Sequence, residues 1–272
     1  MPSMRRFVLA LILTAALASP AAAQSPDLSA AQWLEASAAQ FTATSSAVDL
    51  RLVRTRSGKE RTVTLQTRMS RRDAGVIKTW ILQLSPDVQA GTQFLTLVRG
   101  EQEEQYHLMP AVGTVSRVSP AENFSLFGTD FQIRDISIAD PAVGEHRVLR
   151  GDEVLVAGVP YAVTVIESTY ETGKHRRLLR YLDNERKLPL KVEYFDKKDQ
   201  LTKRLSVLEV AMVDNTPIAT LSRMENLQRG TRTDLIVDSA RFDLGEDALP
   251  ESTFTKEHMR SVGARYAAPE DS

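Results

Sequence analysis

From Val48 onward the apolar positions fall on every second residue: Val48, Leu50 and Leu52 alternate with Asp49 and Arg51, and Val63, Leu65, Thr67 and Met69 alternate with Thr64, Gln66 and Arg68. A period of two places such residues on one face of a pleated strand. The two runs therefore read as strands joined through the Ser57-Gly58-Lys59 turn. The same pattern predicts strands at 76–84, 93–99, 104–109, 114–118, 146–156, 160–169, 175–183, 189–196, 201–213, 217–227 and 231–241. Turn-forming residues separate several of these runs, at Arg99-Gly100-Glu101, Arg150-Gly151-Asp152, Ala157-Gly158-Val159, Thr172-Gly173-Lys174, Asp196-Lys197-Lys198-Asp199 and Arg229-Gly230-Thr231. An antiparallel meander is the simplest topology for such a succession.

Helical spacing is confined to a few places. Ser29 can cap an alanine-rich run from Ala30 to Phe41, whose large apolar residues are Trp33, Leu34 and Phe41. Weaker helical stretches lie at 87–91, around Pro120 to Phe124, and at 249–255. The tail from Gly263 to Ser272 is small and polar and is expected to be flexible, with the stretch from Arg260 to Tyr266 still able to pack. No repeat of fixed period is present.

The N-terminus departs from this pattern. Arg5 and Arg6 precede an unbroken apolar stretch from Phe7 to Ala18, and small residues follow at Ala21, Ala22 and Ala23. That order marks a cleavable signal peptide over 1–23, too short to span a bilayer as a helix. The expected mature chain starts at Gln24, is released into the periplasm, and comprises a single domain over 24–262 with a flexible tail over 263–272. With no cysteine in the chain, N-terminal lipidation, disulfides and thiolate metal sites are excluded. Without Arg5 and Arg6, 32 basic side chains face 35 acidic ones, so no basic surplus exists to neutralise nucleic-acid phosphates. At 42% hydrophobic, the chain can bury a sizeable core.

Catalytic chemistry finds little support. His107, His146, His175 and His258 are isolated from one another, and no two-histidine zinc spacing occurs. Gly-x-Ser-x-Gly, Ser-x-x-Lys and the glycine-rich nucleotide signatures are absent. The acidic neighbours Glu103 with Glu104, and Asp183 with Glu185, read as solvated turn charges. The reading is a protein without catalytic residues, cofactor or metal. The basic run Lys174-His175-Arg176-Arg177, with Arg180 beyond it, falls on a strand and so points to both faces.

The informative segment is Asn123-Phe124-Ser125-Leu126-Phe127-Gly128-Thr129-Asp130-Phe131, which breaks strict alternation. Its Phe127-Gly128-Thr129-Asp130-Phe131, preceded by Val115-Ser116-Arg117-Val118, resembles the Phe-x-Gly-Ser/Thr-Asp-Phe element of the LolA-like outer-membrane lipoprotein-sorting proteins, one residue shorter between Phe and Gly. Further blocks agree in order and spacing: Pro86 with Gly91-Thr92-Gln93-Phe94-Leu95, Leu188 to Asp196, Met224 to Leu227 with Gly230 to Thr233, and Leu249 to Thr255. The resemblance covers roughly residues 30 to 260.

The resemblance implies a mainly β (α+β) fold: an incomplete antiparallel β-barrel, one strongly curved sheet wrapped around an apolar cavity, with a few short covering helices. It also implies a periplasmic carrier or sensor that binds lipid or acyl chains, or a lipid-modified protein, alongside an inner-membrane transporter. The pattern agrees with such a fold, since a long meander with one apolar face needs something to cover it. This chain shows no well-marked lid helix beyond the first. On this reading Phe124, Phe127 and Phe131 form a mobile flap over the mouth of the hollow, with Trp80, Leu82, Tyr106 and Leu108 deeper inside, and the protein acts as a monomer. The alternative is an envelope interaction module with a filled core that docks on a transporter or another membrane protein.

Overall fold

The computed structural model describes residues 28–39, 43–100, 102–119, 125–132, 135, 144–171 and 175–267. The expected signal peptide over 1–23, Gln24, Phe124 and the stretch 120–123 lie outside the described residues. Helix α1 spans Ala30–Ala39, where Ser29 and Gln32 cap each other reciprocally: Ser29 N donates to Gln32 Oε1 at 2.8 Å and Gln32 N to Ser29 Oγ at 3.3 Å. Thirteen strands follow, β1 (Ser45–Arg56), β2 (Lys59–Ser70), β3 (Val76–Ser85), β4 (Gln93–Arg99), β5 (Gln102–Leu108), β6 (Val115–Val118), β7 (Glu145–Val156), β8 (Val159–Thr169), β9 (Arg177–Asp183), β10 (Pro189–Phe195), β11 (Leu201–Val213), β12 (Thr216–Asn226) and β13 (Thr231–Phe242). Helix α2 spans Lys256–Gly263.

All thirteen strands belong to one antiparallel sheet, in the order β6-β5-β4-β3-β2-β1-β13-β12-β11-β10-β9-β8-β7. This is two meanders rather than one, joined where β1 pairs with β13 and connected in sequence by a link from one sheet edge to the other. The difference has a physical cause. Tight two-residue turns fix three of the hairpins locally, with both central residues left-handed at Ser57 and Gly58, Ala157 and Gly158, and Asp214 and Asn215. No local signal specifies a contact between residues nearly two hundred positions apart.

The sheet wraps around one of its faces. A single buried cluster gathers Phe94 of β4, Ile81 of β3, Val63 and Leu65 of β2, Leu50 and Leu52 of β1, Met224 of β12, and Val192 and Tyr194 of β10. Strands β4 and β10 have six strands between them. Their side chains share a cluster only because the sheet curls, and this face is called inner below. The curl leaves β6 and β7 as unpaired edges, so the barrel is open, although β7 comes back against β10 and β11. Helix α1 lies on the same face beyond β10, with Trp33 and Leu34 buried against Ile166 and Leu182.

The second helix follows the weak helical stretch expected at 249–255 rather than coinciding with it. Thr255 caps α2 by accepting the His258 N–H at 3.1 Å, and Met259 and Val262 pack against the opposite, outer face of the sheet. Two apolar anchors in eight residues leave too short a pattern for periodicity to register. The chain continues packed as far as Tyr266, since a Cβ added at Gly91 would stand 2.4 Å from Tyr266 Cβ and 2.7 Å from Pro110 Cγ. Any other residue at position 91 would push this contact apart.

Candidate functional site

Strand register separates the expected site residues into two groups on opposite faces. Trp80 pairs with Leu95 and Leu95 with Tyr106, while Leu82 pairs with Gln93 and Gln93 with Leu108. These two cross-strand rows share a face because directly opposed residues point the same way. Ile81, between Trp80 and Leu82, pairs with Phe94 and points to the inner face with it. Trp80, Leu82, Tyr106 and Leu108 therefore lie on the outer face, whereas Phe127 and Phe131 lie on the inner one.

The inner face is filled by the chain's own Phe127-Gly128-Thr129-Asp130-Phe131 element. Leu126, Phe127 and Phe131 are buried in the main cluster, Phe131 to 1% exposure, and the Phe127 ring stands edge-on to Phe94 with centroids 5.5 Å apart. The turn that delivers them is tight: Phe127 and Gly128 both have left-handed backbones, at φ 51° and 74°. Thr129 N and Oγ1 both donate to Leu126 O, at 3.1 and 2.7 Å, and Ser125 Oγ donates to Thr129 O at 2.6 Å. A left-handed phenylalanine is uncommon and is held here by its burial.

Two carboxylates bolt this plug to the sheet. Asp130 receives Thr231 Oγ1 at 2.6 Å and Thr233 Oγ1 at 2.9 Å, its own N–H donates to Thr233 Oγ1, and Arg54 Nε stands 3.8 Å away. Asp135 receives Tyr194 Oη at 3.0 Å, Lys203 Nζ at 3.1 Å and Gln132 N at 2.8 Å. Burial first, then the Asp135 charge, raises the Tyr194 pKa well above the usual phenol value, so Tyr194 remains a donor. The three phenylalanines were expected as a flap. Of these, Phe127 and Phe131 are packed core residues, and Phe124 lies outside the described residues.

The outer face carries an opening. A cavity of about 380 Å³ lies between β2–β3 and the C-terminal segment. Trp80 and Leu82 form its sheet wall beside Gln66 and Arg68; Leu249, Pro250, Thr253, His258 and Val262 form the opposite wall, and Arg265 and Tyr266 stand at one end. Its volume falls in the range of small-molecule sites. Trp80 Nε1 donates to Gln93 Oε1 at 2.9 Å, and Gln93 Nε2 donates to Met259 O of α2 at 2.9 Å, so the buried amide ties sheet to helix. The Trp80 and His258 rings meet edge to face at 5.0 Å. Burial, assisted by the Arg265 charge, pushes the His258 pKa below the ordinary imidazole value and keeps the ring neutral near pH 7. Tyr106 and Leu108 lie deeper under α2, with Lys256 Nζ 4.1 Å above the Tyr106 ring.

An ion cluster fastens the far end of the C-terminal segment. Glu251 accepts from Ser70 Oγ and pairs with Lys78 at 2.7 Å and Arg72 at 3.2 Å; Arg72 also pairs with Glu246 at 2.8 Å and donates to Leu249 O at 2.7 Å. Burial works against ionising Glu251, but the hydrogen bonds from Lys78 and Ser70, with the charges of Lys78 and Arg72, outweigh it and hold the carboxyl below its usual pKa. The segment is thus clamped at both ends of the cavity. Sequence reasoning missed Leu249, His258, Val262 and Arg265 as wall residues. The available signal was the capping Thr255 followed by Met259 and Val262.

The other histidines sit in separate environments: His107 stacks on Phe94 at 4.4 Å, His175 lies edge-on to Tyr194, and His146 contacts Ser168 Oγ at 2.8 Å. Among the described residues no three His, Cys, Asp or Glu side chains gather as a metal site, and no helix is long and apolar enough to cross a membrane.

Three solved structures share this architecture. A DUF1329 family protein from Desulfovibrio piger superposes with a TM-score of 0.76 at 20% identity, covering 85% of this chain and 97% of that one. A domain assigned to the outer membrane lipoprotein-sorting proteins, from Vibrio parahaemolyticus, gives 0.76 at 21% identity over 85% of this chain and 98% of that one. A LolA superfamily protein from Nitrosomonas europaea gives 0.65 at 18% identity over 85% and 99%. The fold is therefore LolA-like, as the sequence blocks implied. No curated protein matches the sequence. A family model described as an uncharacterized protein matches residues 75–261, well over half of the chain, and the chain belongs to that DUF1329-like family.

Proposed function

We propose that this protein is an exported carrier or sensor of hydrophobes in the cell envelope, and that the acyl part of a lipid or lipid-modified protein lies in the outer-face cavity. The carrying observation is the cavity itself, with Trp80, Leu82, Leu249, Pro250 and Val262 as apolar walls and Arg265 at its end. A chain in this space removes methylenes from water at about 0.8 kcal/mol each. Six of them supply roughly 5 kcal/mol, which corresponds to a Kd of about 200 µM before any contribution from Arg265 to an anionic head group. Signal-peptide character over 1–23 supports release into the periplasm, and the LolA-like fold supports a sorting role beside a membrane transporter. No step in this role requires a catalytic group.

A filled inner face favours a second reading, in which the half-barrel is an interaction module for a transporter and the cavity holds only water. Titration with a fluorescent fatty acid, followed through Trp80 emission, separates the two. The cavity reading predicts saturable binding that weakens about tenfold in Ala248→Trp, because Ala248 lines the space from an exposed position and a ring there would fill it without disturbing the core. Absence of saturable binding, or equal affinity in the variant, would leave the interaction module as the better account.

A further inference from the structure

One end of the half-barrel concentrates apolar side chains in water. Arg56 pairs with both Lys59 and Thr231, and Gln93 with both Leu82 and Leu108, so the connections at 57–58, 86–92, 109–114 and 227–230 all emerge at the same end. The close approach of Tyr266 to Gly91 brings the C-terminal segment there too. Five large apolar residues project from these tips: Val88 at 91% exposure, Val112 at 58%, Leu227 at 46%, Met109 at 45% and Tyr266 at 38%. The loop from Met109 to Thr114 contains no charged residue. Isolated exposed apolar residues are ordinary, but several gathered at one end mark a contact surface.

The charges flanking these tips select the partner. Arg56, Lys59, Arg229, Arg232 and Arg265 are exposed and make no ion pair among the described residues, against three acids, Glu60, Asp87 and Glu225, the last of which pairs with Arg204. Val88 projects almost as freely as in an extended chain. Separate apolar tips ringed by unpaired cations suit a soft surface, in which the tips enter the acyl boundary and the cations meet phosphate. The cavity ends beside Tyr266, so a chain leaving such a surface would find the site adjacent.

We infer that this end of the half-barrel docks on an anionic lipid bilayer, with Val88 and Val112 entering the head-group region. The inference deepens the hydrophobe-binding reading, since docking places the cavity at the surface that supplies its ligand. The test is sedimentation of the processed chain, starting at Gln24, with phosphatidylglycerol-containing vesicles and with pure phosphatidylcholine vesicles. Binding is expected to the former, to weaken with salt, and to fall about tenfold in the Val88→Asp/Val112→Asp double variant. Arg56→Glu/Arg229→Glu is expected to abolish the preference for the anionic vesicles. Both double variants are expected to bind the fatty-acid probe in vesicle-free solution as the parent does. Failure of the parent chain to bind the anionic vesicles, including where a protein partner binds this end instead, or undiminished binding by the valine double variant, would overturn the inference. Vesicle binding without probe binding would uphold docking and remove only the cavity reading.

Discussion

Phe131→Ala is expected to destabilise the protein by about 3 to 5 kcal/mol, the range for deleting a fully buried ring. At this size each kcal/mol lowers the unfolding midpoint by roughly 2 to 4 °C, so a fall of about 10 °C is expected. Phe131 is 1% exposed inside the cluster that spans β4 to β10, and its carbonyl accepts the Leu126 N–H at 2.7 Å. A flap residue at the mouth of an empty hollow would cost about 1 kcal/mol or less. Thermal unfolding followed by circular dichroism tells the two apart. The cavity on the other face should still bind the probe in whatever fraction remains folded, because no residue of the plug lines it.

Asp130→Ala is expected to be about as damaging, at roughly 3 to 5 kcal/mol, for an electrostatic reason. The carboxylate is buried, and removing it strands the hydroxyls of Thr231 and Thr233 and leaves Arg54 without its nearest anion. Asp130→Asn keeps one acceptor oxygen and is expected to lose less. The order alanine worse than asparagine, measured by urea unfolding, is the informative result. Equal losses in the two variants would show that charge alone matters, and no loss in either would show that the plug is not bolted through Asp130. Asp130 and Phe131 are adjacent, so the costs of the two alanine variants are not expected to add.

Period-two alternation made the strands legible. Runs such as Val63-Thr64-Leu65 alternate because one face is apolar and the other polar, and every predicted strand lies in the sheet with ends shifted by only a few residues. The same rule failed where both faces are covered. Trp80, Ile81 and Leu82 are all buried, since the inner core lies on one side and α2 on the other, so nothing in that run says which residue faces where. Trp80 and Leu82 were expected inside the hollow but lie on the outer face. The pairing of β1 with β13 was illegible because it depends on contacts remote in sequence. The Phe127 to Phe131 element was conspicuous for broken alternation and a glycine. Its role as a plug rests on Asp130 meeting Thr231 and Thr233 a hundred residues away, which no local pattern encodes.

Where a bound acyl chain lies is the central claim, and photolabelling addresses it most directly. A fatty acid carrying a diazirine on its acyl chain, bound to the processed protein and irradiated, should mark peptides containing Trp80 and Leu82 and the stretch from Ala248 to Tyr266, and should spare Leu50, Met224 and Phe131. Competition by unlabelled fatty acid should remove those marks. Labels concentrated on Phe131, Leu50 and Met224 would instead place the ligand on the inner face, with the plug displaced, and would contradict the account.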